Sequence, residues 1–134
     1  MLSGSQGKFG PRWSPDGRYI AAQAWDAKKM FLYDLKTQHW TEVDSGNELG
    51  WQLFSHDGHY LYYMCNASGI AGDLIAASIC RLRVSDRHVD RFPLKNFPGT
   101  GHWGLSLSLG PDDMPLLLRN STTYDIYALE LEWK

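Results

Sequence analysis

The chain is 134 residues long, one domain's worth, and with 21% charged residues and a formal charge of −2 it lacks the single-sign field that would draw nucleic acid or an anionic membrane surface. Six tryptophans, seven tyrosines and five phenylalanines among 13 glycines describe a β-rich, turn-rich protein with large packing units. No apolar run reaches the length of a membrane span, and Met1 to Gly7 has neither the basic region nor the apolar stretch of a signal peptide. As written the chain is expected to stay in the cytoplasm, or outside it if a parent protein is membrane-tethered.

Residues 1–10 are Gly/Ser-rich and polar, which predicts a disordered or loose tail, with structure beginning near Pro11. A Ser14-Pro15-Asp16-Gly17 turn then precedes three strand signals, Arg18 to Trp25, Lys29 to Lys36 and His39 to Val43. The short links Asp26-Ala27-Lys28 and Thr37-Gln38 make tight hairpins, so these strands form an antiparallel meander. The plan returns from Leu49, with Trp51 to Phe54, a second turn at Ser55-His56-Asp57-Gly58, then His59 to Cys65, Ser78 to Val84 and His88 to Pro93. Tyr60 to Cys65 is apolar at consecutive positions, which predicts a strand covered on both faces. Cys80 to Val84 alternates, as a strand with one wet face does. A third unit reads Leu105 to Leu109, a degraded turn at Gly110-Pro111-Asp112-Asp113, Leu116 to Arg119, and Asp125 to Trp133.

A second phrase, Leu32-Tyr33-Asp34-Leu35, recurs as Ile79-Cys80-Arg81-Leu82 and Ile126-Tyr127-Ala128-Leu129 at a constant spacing of 47 residues. A fixed period of this length marks stacked units, none of which buries its apolar face alone. The expected architecture is all-β, a partial β-propeller of about three antiparallel meander blades with the last lacking its outer strand. The divisions are 11–46, 47–99 and 100–134 after the tail at 1–10. Three blades by themselves leave two apolar faces and unpaired strand edges open, so self-association through those faces is expected.

Chemistry-bearing signals are sparse. Asp16, Asp57 and Asp112 are read as turn residues that fold back onto backbone amides, since they lack the clustered oxygen ligands a cation needs. His39, His56, His59, His88 and His102 show no metal-ligand spacing, and no nucleophile elbow or phosphate loop is present. No catalytic residue, metal or cofactor is therefore expected. Cys65 and Cys80 each sit inside an apolar strand pattern. They are either buried thiols packing as small hydrophobes or a cross-strand disulfide, which would imply an oxidising compartment. The densest basic stretch, Arg81, Arg83, Arg87, His88, Arg91 and Lys95, reads as a solvated strand face or as a contact for an acidic partner.

Trp13-Ser14-Pro15-Asp16-Gly17-Arg18-Tyr19-Ile20-Ala21, with the later Leu32-Tyr33-Asp34-Leu35-Lys36-Thr37, resembles the repeat of TolB-like, WD-repeat-like β-propellers. The stretches from Ile79 to Asp90, Trp103 to Ser106, Gly110 to Asp113, Leu116 to Asn120 and Asp125 to Leu129 are similar to the C-terminal end of such propellers. Those ends occur fused to bacterial CadC-like winged-helix regulators or to serine/threonine kinases. The resemblance spans about residues 10 to 132. It implies a noncatalytic protein-interaction or sensory propeller segment of a bacterial signalling or transcription-regulating protein. Its partner would be a protein or the remaining blades, without direct nucleic-acid contact or a membrane span in this chain. Two alternatives stand beside it, the propeller portion of a serine-peptidase-type hydrolase and a free-standing TolB-like binding protein.

Long loops on a rigid β scaffold are where recognition concentrates, which directs attention to the connection from Asn66 to Ala77 and to the rim it shares with the links between blades. The partner-binding candidates on that rim are Trp25, Asp26, Asn66, Asp73, His102 and Trp103.

Overall fold

The computed structural model describes residues 2–66, 77–94 and 106–117. The recurring turn is the element on which the blades are built. Ser14 is buried, its hydroxyl donates to Asp16 Oδ1 at 2.5 Å and accepts from the Tyr19 amide at 2.8 Å, and the Arg18 amide donates to the same carboxylate oxygen at 3.0 Å. Ser55, Asp57, His59 and Tyr60 repeat the pattern at 2.6, 2.9 and 2.9 Å. The Gly17 and Gly58 amides close each turn onto the serine carbonyl. The buried serine hydroxyl and the amides that follow it find partners within the bend, so two strands are joined without orphaning those donors.

Each such turn joins the two inner strands of a four-stranded antiparallel meander. The first sheet is β1 (Lys8–Trp13), β2 (Tyr19–Ala24), β3 (Lys29–Asp34) and β4 (His39–Ser45), in that spatial order. The second is β5 (Gly50–Phe54), β6 (Tyr60–Cys65), β7 (Ser78–Arg83) and β8 (Val89–Pro93). The described part of the third is the hairpin of β9 (Leu107–Leu109) and β10 (Pro115–Leu117); the strand expected over 125–133 lies outside the described residues. The innermost strands β1, β5 and β9 are successive neighbours, β1 against β5 and β5 against β9. The sheets are consecutive blades of a partial β-propeller, with no helix among the described residues.

Two expectations need correction. Residues 2–10 are not a loose tail. The segment turns at Leu2 to Lys8 and enters β1 at Lys8; Trp40 donates its indole N–H to the Ser3 carbonyl, and the Lys8 ammonium donates to the Gly4 carbonyl. The first meander therefore has four strands. Its inner strand was hidden because Gly10 and Pro11 read as breakers, whereas here they form a bulge opposite Ala22, where the missing proline donor is harmless. Gly10 takes φ +64° there, and a Cβ on it would stand 3.0 Å from the Gln52 amide.

The spacing of 47 residues is the second correction. The inner hairpins repeat at 41 residues, Ser14 to Ser55 and Tyr19 to Tyr60. The outer strands repeat at 49, because Leu35 and Val84 are the residues that donate to the carbonyl after the turn glycine, Arg18 and His59 respectively. Aligning Leu32 with Ile79 slips the register by two. The alternation of faces survives a slip of two, which is why the pattern looked sound. The difference between 41 and 49 is the longer β6–β7 connection.

Two apolar layers hold the blades together. Ala21, Met30 and Leu32 of the first sheet meet Leu61, Tyr63, Cys80 and Leu82 of the second. On the opposite face of that second sheet, Tyr62, Met64 and Ile79 meet Leu107, with Leu109 and Leu117 alongside. β6 is thus covered on both sides, as its unbroken apolar run predicts, while β8 is mostly exposed. Burying a leucine such as Leu61 or Leu82 contributes roughly 1.5–3 kcal/mol. On the outer face of the first sheet Ile20, Ala22 and Tyr33 are 3%, 2% and 4% exposed, while Trp13, the partner of Ile20 across β1 and β2, is 59% exposed.

Candidate functional site

The connections opposite the Ser-Pro-Asp-Gly turns gather into one rim. In the β2–β3 hairpin Ala27 adopts φ +56° and Asp26 Oδ1 accepts the Lys28 amide at 3.1 Å, which fixes the bend. The Leu49 amide donates to the Ala27 carbonyl at 2.7 Å and the Gly46 amide to the Lys28 carbonyl at 3.0 Å. The Asn66 amide in turn donates to the Asn47 carbonyl at 2.8 Å, and the Trp25 amide to the Gly7 carbonyl at 2.9 Å. Four chain segments are stitched together by backbone hydrogen bonds, which truncation of a side chain leaves in place.

On this rigid base Trp25 is 78% exposed, and the Phe9 ring meets it edge to face at 5.5 Å while itself 54% exposed. Of the nominated residues, Trp25, Asp26 and Asn66 come together on the rim. Asp73, His102 and Trp103 lie outside the described residues. Phe9 escaped the sequence reading because it sits in the segment taken for a tail.

A second residue was missed for a subtler reason. Trp51 occupies the bulge of β5, opposite Tyr63, at the place where β1 has Gly10. Its φ of +56° is a conformation that glycine takes freely and that raises the energy of an L side chain by about 1 kcal/mol or more. The side chain is nevertheless 44% exposed, so packing alone does not account for a tryptophan there. Strain held at an exposed aromatic is a pointer to function. A 41-residue alignment of the two inner hairpins was the signal that could have found it.

The remaining polar groups are largely paired. Arg81 reaches Asp90 at 2.9 Å, Arg83 reaches Asp86 at 2.8 Å, and Arg91 reaches Asp44 at 2.7 Å, so much of the basic stretch is neutralised within the fold. Lys95 lies outside the described residues. The Ser14 hydroxyl, and after it the Arg18 amide, hold the Asp16 carboxyl below its ordinary range; Ser55 and His59 do the same for Asp57. Both carboxylates are committed to their turns. Among the described residues no three His, Cys, Asp or Glu side chains converge to hold a metal, and no helix is long and apolar enough to cross a membrane. The outer face of the third sheet carries an open depression of about 240 Å³ lined by Ser106, Ser108, Leu116 and Leu117.

The turns on the other rim touch one another in sequence. A Cβ on Gly58 would stand 3.5 Å from Pro15 of the preceding turn. In the third turn Asp113 takes the glycine position at φ +61°, and its Oδ1 accepts the His56 amide at 2.8 Å with the His56 ring Nδ1 at 2.5 Å. The turn Asp113 belongs to is one residue shorter, since Gly110 pairs with Met114 where Ser14 pairs with Tyr19.

No protein-family model and no curated protein matches this chain. Among solved structures it is similar to TolB from Acinetobacter baumannii, with 22% identity and a TM-score of 0.58 over 87% of this chain and 30% of that one. It is also similar to part of the tricorn protease, with 14% identity and a TM-score of 0.59 over 79% of this chain and 10% of that one. The chain spans less than a third of either protein. At these identities the likeness establishes the TolB-like propeller architecture.

Proposed function

We propose that this chain is a noncatalytic protein-interaction or sensory segment of a TolB-like propeller, belonging to a bacterial signalling or transcription-regulating protein, and that its rim around Trp25 and Phe9 is the recognition surface. The observation that carries this reading is the exposed aromatic pair on a rim locked by backbone hydrogen bonds. Large rigid aromatics give much contact area for little lost side-chain freedom, and they dominate the energetics of protein interfaces. The strained and half-exposed Trp51 supports the same reading. A formal charge of −2 and the internally paired arginines favour a protein partner over nucleic acid.

The test is site-specific photocrosslinking in the parent bacterium with a benzophenone amino acid at Trp25 and, as a control on the opposite rim, at Thr37. The expected result is a discrete adduct from position 25 alone, identified by mass spectrometry. The purified partner should then bind the Trp25→Ala chain at least about tenfold more weakly, as loss of a central aromatic anchor requires. Equal adducts from both positions, or unchanged affinity of the variant, would refute the assignment.

A further inference from the structure

Cys65 and Cys80 are joined by a disulfide between β6 and β7, their Cα atoms 6.4 Å apart. In the ladder Cys65 faces Ser78 and Cys80 faces Tyr63, so the bond runs diagonally on the face of the second sheet that packs against the first. Cys80 is fully buried, and Cys65, at the end of β6 beside exposed Asn66, is 3% exposed. The neighbour of Cys80 across the β7–β8 ladder is Arg91. One terminal nitrogen of that guanidinium lies 3.9 Å from Cys80 Sγ, and the other lies 2.7 Å from Asp44 Oδ1 on β4 of the first sheet. Asp44 Oδ2 accepts the Tyr63 hydroxyl at 2.6 Å, and the Asp44 side chain is only 9% exposed. Burial, and then that hydrogen bond, raise the pKa of the Tyr63 hydroxyl, which keeps it a donor at neutral pH.

From this arrangement we propose that the Cys65–Cys80 bond is an exchangeable disulfide in which Cys80 is the leaving sulfur, tuned by Arg91, and that its redox state is coupled through Arg91 and Asp44 to the contact between the first two blades. A thiolate is the better leaving group the more its charge is stabilised, and a guanidinium beside the sulfur does that. The reductant is a dithiol. Its first thiolate attacks Cys65 Sγ, the S–S bond breaks, and the electron pair leaves on Cys80 as a thiolate next to Arg91. The second thiol of the reductant, as its thiolate, then attacks the mixed disulfide and releases Cys65, which takes up a proton. Two electrons pass from the dithiol to the protein, and the reductant ends as its own disulfide. Once Cys80 carries negative charge it competes with Asp44 for the same guanidinium, so reduction weakens the tie to β4 and, reciprocally, the tie opposes reduction.

The experiment equilibrates the whole chain with oxidised and reduced dithiothreitol at pH 8, blocks free thiols with iodoacetamide and counts them by mass. The native chain should take up no label before reductant and two after it. Arg91→Gln should shift the equilibrium toward the disulfide by roughly threefold to tenfold, and Asp44→Asn, which frees the guanidinium for Cys80, should shift it the opposite way. A merely structural role predicts that both variants loosen the core and move it in one direction. Labelling without reductant, reduction only in denaturant, or shifts of the same sign would each overturn the proposal. Should Arg91→Gln fail to fold, the sign of the Asp44→Asn shift decides alone.

Discussion

The buried serine of the recurring turn should be worth far more than its size. In Ser55→Ala the Tyr60 amide, which donates to the hydroxyl at 2.9 Å, loses its partner. With the serine only 1% exposed, water has poor access to replace it. An unsatisfied donor in that setting costs about 1–3 kcal/mol. The second bond, from the hydroxyl to Asp57, contributes less, because that carboxylate has a 53% exposed side chain and water takes over. The expected loss is therefore about 2 kcal/mol. Equilibrium unfolding in urea should show the midpoint falling by roughly 1 M with an unchanged slope. Ser14→Ala should give the same loss within about 0.5 kcal/mol, since its network is a copy of the other. The pH dependence carries a second signature. Asp57 is held below its ordinary value of 3.8 chiefly by this hydroxyl and next by the His59 amide. A carboxyl depressed on folding stabilises the folded chain above that ordinary value, and the contribution is lost as pH falls through the lowered one. Removing the hydroxyl raises the folded value toward 3.8, so the acid-sensitive part of the stability should shrink. A loss below about 0.5 kcal/mol, or a variant with the same acid sensitivity as the parent, would refute the argument.

Two more measurements follow from the packing. Leu82→Ala, at a fully buried site between the first and second sheets, should lose about 2–5 kcal/mol in thermal or urea unfolding, whereas Leu116→Ala, at 39% exposure, should lose less than about 1 kcal/mol. Asp113→Ala removes both contacts to His56 and should destabilise by about 1 kcal/mol, while Asp113→Asn, which keeps an acceptor for the His56 amide, should lose less; amide exchange at His56 would show which bond matters.

The two inner hairpins were legible because their chemistry is local. Ser-Pro-Asp-Gly builds the same bend wherever it stands, and the apolar run from Tyr60 to Cys65 has no other use than a strand covered on both sides. β1 was not legible, because its Gly10-Pro11 bulge is a feature of pairing with β2 and of the approach of Gln52, neither of which has a local signature. The register of the outer strands differs by two residues from the one the 47-residue phrase implies, for a related reason. Alternation fixes which face a residue takes but not how far the strand has slid. Of the rim, Trp25, Asp26 and Asn66 could be placed by loop length alone. Phe9 and Trp51 required knowing that β1 and β5 are equivalent. Whether Cys65 and Cys80 meet depended on the β6–β7 register, since diagonal neighbours bring their sulfurs together where residues on opposite faces cannot.

Because the central strand β6 of the middle blade is covered on both faces, the blade sets a lower bound on how small a working piece of this architecture can be. Cutting the chain after Pro93 would strip Tyr62, Met64 and Ile79 of their cover, and starting it at Gly50 would do the same to Leu61, Tyr63 and Leu82. Either fragment would present a sticky, unfinished wall to its surroundings, and such pieces should clump or be degraded rather than behave as independent modules.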